Sequence, residues 1–147
     1  VELDYLANGP SINKDSDQTR IFVRMQGRKI YEYALKNVPA AIKETIEDAG
    51  LSIEDINKIL IHQANAKMDY AMIERLHKLY NVKEYDHSIS PMTIQNFGNS
   101  SVATIPTMFD LIIKGKMEGQ SFKEKGNIVM TSVGAGMNIN AIVYRFP

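Results

Sequence analysis

The sequence predicts an α/β domain built in layers, with a mixed β-sheet covered by helices. Three observations carry this. Ile59-Leu60-Ile61 is an apolar run of strand length lying between two helical stretches. Ile128–Val133 and Ile139–Phe146 are two further apolar runs, split only by Gly134-Ala135-Gly136, the spacing of a hairpin. The segments between the strands carry an apolar residue every third or fourth position, the period of a helix packed on one side.

Taken in order, Val1–Thr19 is polar and turn-rich, with Asn8-Gly9-Pro10, and reads as a surface loop or linker. Ile21–Met25 reads as a short strand. Arg28–Ala49 is helical, with Leu35, Val38, Ile42 and Ile46 on one face. Pro39 removes a ladder hydrogen bond there, so two helical pieces or a kink near Asn37 are expected. Gly50 is placed to stop that helix. Ser52 with Asp55 opens a single turn before the Ile59–Ile61 strand. Asn65 is suited to cap a helix running to about Tyr80, with Met68, Met72, Leu76 and Leu79 inward. Tyr85–Ser90 reads as a polar loop and Met92–Ile94 as a strand. Asn99 or Ser100 is expected to cap a helix to about Lys114, with Val102, Ile105, Phe109 and Ile112 inward. The last two strands are apolar on both faces, as in a central layer covered by helices.

The bulk numbers narrow the function. A chain of 147 residues suffices for one domain with a sizeable core. Apolar content of 44% and charged content of 23% are those of an ordinary globular domain. The 17 basic and 17 acidic residues cancel, giving no electrostatic case for a nucleic-acid or membrane partner. No apolar run is long enough to cross a bilayer and no signal-like segment opens the sequence, so a cytoplasmic location is expected. The absence of cysteine excludes disulfides, thiolate metal sites and a thiol nucleophile carried by this chain. No cofactor and no metal site are expected.

Candidate chemistry gathers at three places. His62 follows the Ile59–Ile61 strand directly, at the kind of sheet edge where α/β folds bind ligands. Phe97-Gly98-Asn99-Ser100-Ser101 opens a helix, and Gly134-Ala135-Gly136 is a glycine-rich bend. Each has a plain structural reading. A lone histidine is usually a hydrogen-bonded structural one, Asn65 and Asn99 are good caps, and Lys67 is a solvated helix charge. His77 and His87 have no ligand-like companions, and the Met68–Met72 pair reads as core.

Together, His62-Gln63-Ala64-Asn65, Gly98-Asn99-Ser100-Ser101, and Gly134-Ala135-Gly136 before a strand ending Tyr144-Arg145-Phe146 resemble the C-terminal half of β-ketoacyl-acyl-carrier-protein synthase III. This is a thiolase-fold condensing enzyme. Arg24-Met25-Gln26-Gly27 before the long helix resembles it too. The resemblance implies a linker or surface loop from a missing upstream half over residues 1–20 and a C-terminal thiolase-like domain over 21–147. It implies a Cys-His-Asn site with the cysteine in the absent N-terminal half, and His62 and Asn99 as the catalytic pair. The implied reaction is decarboxylative condensation of acyl-CoA with malonyl-acyl-carrier protein in fatty acid biosynthesis, on a homodimer.

By the same resemblance, the Ala135 backbone N–H belongs to an oxyanion hole, Asn65 and Gly27 lie along the pantetheine arm, and Lys67 docks the acidic carrier protein. The chemistry asks for such donors, because decarboxylation builds negative charge on the thioester oxygen. The sequence departs from the family in a longer Tyr80–Asn96 segment, in Met137-Asn138-Ile139-Asn140 after the bend, and in lysine rather than arginine at position 67. A related condensing enzyme of secondary or lipid metabolism, and a non-catalytic domain that binds CoA or carrier protein, are the alternatives.

Overall fold

The structure is a computed structural model that describes residues 6–147. The first five residues of the expected loop over 1–20 lie outside the described residues. Within that loop, Leu6–Gly9 forms a strand, β1, paired antiparallel with β2 (Phe22–Met25). The partner strand imposes extended structure on a stretch whose own sequence reads as turn.

Helix α1 spans Gly27–Asp48 without interruption, with Pro39 inside it. The helix is not divided into two pieces near Asn37. Ala34, Val38, Ile42 and Ile46 form one buried stripe on both sides of the proline. Burying that stripe outweighs a penalty of ~3 kcal/mol for an interior proline. The helix ends as expected at Gly50, whose φ is 71°, with the Leu51 N–H closing back on the Ile46 carbonyl at 3.1 Å. A single turn at Ile53–Asp55 follows, with the Ser52 N–H donating to Asp55 Oδ2 at 2.9 Å.

Strand β3 (Ile56–Ile61) runs parallel to β4 (Asn127–Gly134), which pairs antiparallel with β5 (Asn138–Arg145). The sheet is therefore mixed, in the order β3-β4-β5. One face is covered by α1 and α2 (Ala66–Leu79), which bury Ile59, Ile61 and Val129. The other is covered by α4 (Thr104–Ile113), whose Met108 and Ile112 bury Leu60 and Ile128. The covering is incomplete on this side. Strand β5 is not sealed on both faces as expected, for Ile142 is 59% and Tyr144 42% exposed. Helix α4 packs over β3 and β4 and leaves the outer half of that face open.

Three further expectations are corrected. Met92–Ile94 is not a strand; Thr93 instead precedes a short helix, α3 (Ile94–Phe97), because the N–H groups of Thr93 and Ile94 are taken by the Gln63 side chain rather than a neighbouring strand. Helix α4 begins at Thr104 after a separate tight turn at Ser101–Ala103, and on that turn Val102 points outward, 90% exposed. Leu79, in the last turn of α2, is 40% exposed rather than inward.

Candidate functional site

Because β3 and β4 are parallel, their C-terminal ends lie on one sheet edge. His62 follows β3 there, and its backbone N–H extends the ladder to the Thr131 carbonyl at 2.9 Å. Four residues further along β4 comes the bend at Ala135–Met137, where Gly136 and Met137 take positive φ values of 74° and 57°. Helix α2 starts from the same edge, capped by Asn65, whose Oδ1 accepts from the N–H groups of Lys67 (3.0 Å) and Met68 (3.3 Å).

His62 and Asn99 meet through Ser101. Nδ1 of the half-buried His62 ring lies 3.1 Å from the Ser101 carbonyl, while the Ser101 N–H donates to Asn99 Oδ1 at 2.9 Å. A carbonyl only accepts, so Nδ1 carries the ring proton and the neutral ring presents Nε2 as a bare lone pair. Nε2 donates a hydrogen bond only when the ring is doubly protonated. The Asn99 amide is oriented by the same logic: its oxygen faces a backbone N–H, which leaves Nδ2 as a donor with no partner among the described residues. Asn99 thus makes an Asx turn and does not cap α4. Ser101 adopts φ 53°, an uncommon conformation for a residue with a side chain, and this bend lets one residue serve both partners.

Among the other sequence candidates, Gly27 opens α1, and a Cβ added to it meets nothing within 4 Å, so packing in the described residues does not require a glycine there. No hydrogen bond among the described residues joins Gly27 to His62 or Asn99. Lys67 lies exposed in the first turn of α2, with no ion-pair partner among the described residues.

Two polar residues that the sequence reading left unassigned are fully buried here. Gln63 has no exposed surface. Its Nε2 donates to the Pro91 carbonyl (2.9 Å) and to Met108 Sδ (3.1 Å), and its Oε1 accepts from the N–H groups of Thr93 (2.8 Å) and Ile94 (2.9 Å). A glutamine directly after a buried strand is the one sequence signal that pointed to it. Asp69, in the first turn of α2, is also without exposed surface, and neither carboxylate oxygen has a hydrogen-bond partner among the described residues. Burial alone pushes its carboxyl up to about 7.

Comparison with known proteins bears on the family and the fold. Residues 46–146 match the family model for the C-terminal part of 3-oxoacyl-[acyl-carrier-protein] synthase III. The chain is 33% identical to the beta-ketoacyl-[acyl-carrier-protein] synthase III of Clostridium acetobutylicum, over 92% of this chain and 39% of that one. The crystal structure of the synthase III from Aquifex aeolicus superposes with a TM-score of 0.67 at 28% identity, over 85% of this chain and 37% of that one. The synthase III from Pseudomonas aeruginosa shares the fold at TM-score 0.74 and 20% identity, over 99% of this chain and 41% of that one. The fold is thus that of a thiolase-like condensing enzyme. The chain belongs to the 3-oxoacyl-[acyl-carrier-protein] synthase III family and corresponds to its C-terminal part. It spans between 35% and 42% of the length of the curated relatives it matches. No helix among the described residues is long and apolar enough to cross a membrane.

Proposed function

We propose that this chain is the C-terminal half of a synthase that condenses acyl-CoA with malonyl-acyl-carrier protein in fatty acid biosynthesis, with the nucleophilic cysteine supplied by the N-terminal half. The observation that carries this reading is the His62–Ser101–Asn99 arrangement, in which one backbone residue sets the orientation of two side chains at the sheet edge.

The cysteine thiolate first takes the acyl group from acyl-CoA and expels the CoA thiolate; the bond between the malonyl Cα and its carboxylate then breaks. Carbon dioxide leaves, and the electron pair moves into the thioester to give an enolate. Asn99 Nδ2–H donates to the enolate oxygen, and His62 donates from Nε2 as the imidazolium, since its Nδ1–H is engaged by Ser101. The enolate carbon then attacks the acyl thioester on the cysteine. The oxyanion of the tetrahedral intermediate accepts from the Ala135 N–H, and collapse expels the cysteine thiolate, leaving a 3-oxoacyl thioester on the carrier protein.

Supporting roles follow. Asn65 uses only its oxygen as a cap, which leaves its N–H₂ for the pantetheine arm, and the open space at Gly27 suits close approach of that arm. Lys67 offers a solvated cation to the acidic carrier protein. The N-terminal half covers the open face of the sheet beside α4, and the whole enzyme is a homodimer.

The test uses the natural open reading frame that contains this chain. Condensation of short acyl-CoA primers with malonyl-acyl-carrier protein is measured beside His62→Ala and Asn99→Ala. Each substitution is expected to lower the rate on the order of a hundredfold or more. Condensation that persists unchanged in either variant removes that residue from the chemistry, and no condensation with any primer sinks the reading.

A further inference from the structure

We infer that Gln63 is the positioning residue that sets Asn99 against His62, an inference that rests on the reading of those two side chains as the decarboxylation site. The donor inventory of its amide is fully spent. Nε2 faces the Pro91 carbonyl, which only accepts, and Oε1 faces the N–H groups of Thr93 and Ile94, which only donate, so the amide has one possible orientation. The hydroxyl of Thr93 adds a further contact to Oε1 at 3.3 Å, and Met108 Sδ takes the remaining N–H at 3.1 Å.

The anchored groups bracket Asn99 in sequence. Pro91, Thr93 and Ile94 lie before it, and Met108 of α4 lies after it. From Ile94 the chain makes a single helical turn, closed by the Gly98 N–H on the Ile94 carbonyl at 2.9 Å, and Asn99 follows at once. On its far side the Ser101 carbonyl is held by the His62 ring. The loop bearing Asn99 is therefore fixed at one end by Gln63 and at the other by His62, two consecutive residues at the end of β3. His62 and Gln63 are the first two residues past β3, so one strand end holds the loop at two points. Gln63 touches no reacting atom; it acts by removing the freedom of the loop.

The test uses the full-length protein and separates two half-reactions. Malonyl-thioester decarboxylation uses Asn99, while acyl transfer from acyl-CoA onto the cysteine does not. Gln63→Leu is expected to lower decarboxylation kcat on the order of a hundredfold, with KM for the malonyl thioester and the rate of acyl loading near the parent's. Gln63→Glu gives a second readout. A neutral carboxyl keeps the acceptor facing Thr93 and Ile94 and the donor facing Pro91 and loses only the N–H on Met108 Sδ, whereas the carboxylate sets an oxygen against the Pro91 carbonyl. Its decarboxylation rate relative to the parent should recover as pH falls, and this arm decides the matter if Gln63→Leu does not fold. A parent-like kcat in Gln63→Leu, equal losses in both half-reactions, or a Gln63→Glu ratio flat with pH overturns the inference. Asn99→Ala, run in parallel, separates the two failures. If it collapses while Gln63→Leu does not, only the positioning role falls; if Asn99→Ala decarboxylates normally, the site reading falls and takes this one with it.

Discussion

Ile59 and Leu60 are neighbours in β3, point to opposite faces of one sheet, and are both fully buried, yet the layers that bury them differ. Behind Ile59, helices α1 and α2 contribute Val38, Ile42, Ile46, Met72, Ile73 and Leu76 to a continuous core. Behind Leu60 only α4 closes down, and the cover ends there. A groove of about 680 Å³, lined by Ile105, Pro106, Phe109, Ile113, Met130 and Tyr144, opens beside it. The alternation of β-strand side chains asks for two apolar layers, and this chain supplies one and a half. Stability therefore resides in the first face, while the second is left open.

Substitutions that treat the faces alike should give unlike results. The largest effect is expected for Ile42→Ala on the closed face, a loss of about 2–5 kcal/mol in urea or thermal unfolding. A change below 1 kcal/mol would mean that the core collapses around the gap and that the closed face is less tightly packed than described.

The next largest effect is a gain. Asp69 is a group on the closed face that opposes its own burial. Its folded value of about 7 lies above an unfolded value near 3.8, so the folded state binds the proton more tightly. Stability from this group is full below the unfolded value and is lost as pH rises through 7. Asp69→Asn should therefore exceed the parent in stability by an amount that grows from about pH 4 and levels above about pH 7. About 4 kcal/mol is the upper bound. His77, at the other end of α2, has the opposite sign. Burial lowers its value, its Nδ1–H donates to the Ile73 carbonyl at 2.8 Å, and it stacks on Tyr85. Its contribution is lost as pH falls below the ordinary imidazole range, but it is common to both proteins and cancels in the difference. A pH-independent gap between them would show that Asp69 finds a partner in solution.

The smallest effect on stability belongs to the open face. Ile142→Lys should leave unfolding within about 0.5 kcal/mol of the parent. The isolated chain is expected to self-associate through this face, and the same substitution should move its sedimentation toward the monomer. A parent chain that sediments as a strict monomer at high concentration would mean that the face is not adhesive.

Much of this was legible beforehand. The β3, β4 and β5 strands, the β4–β5 hairpin, the Asn65 cap and the Gly50 stop all follow from local chemistry. The misreadings share a cause, which is that local propensity cannot report a partner remote in sequence. Pro39 looks like a break because its packing against the core is invisible in the sequence, and Met92–Ile94 looks like a strand because the Gln63 amide that takes its N–H groups lies some thirty positions away. Val102 has the spacing of an inward residue, but a separate turn rotates it outward. At the site, the residue types of His62 and Asn99 are legible through family resemblance. That the Ser101 carbonyl fixes the histidine tautomer depends on a backbone group that carries no residue identity, and no sequence pattern encodes it.

The parallel pairing of β3 with β4 also has a consequence for the order in which the molecule comes into being. The β4–β5 hairpin closes through one tight turn and is a local event. Lys58 pairs with Ile128, seventy positions further on, and that pairing waits for the chain between them to be brought round, a slow closure with a large entropy cost. On the ribosome β3 emerges before β4 and stays without its ladder until Asn127–Gly134 has emerged. His62, at the tip of β3, is synthesised well before the strand whose pairing holds it in place. A stalled or truncated nascent chain would hold an unpaired apolar strand, which is the kind of segment that chaperones bind.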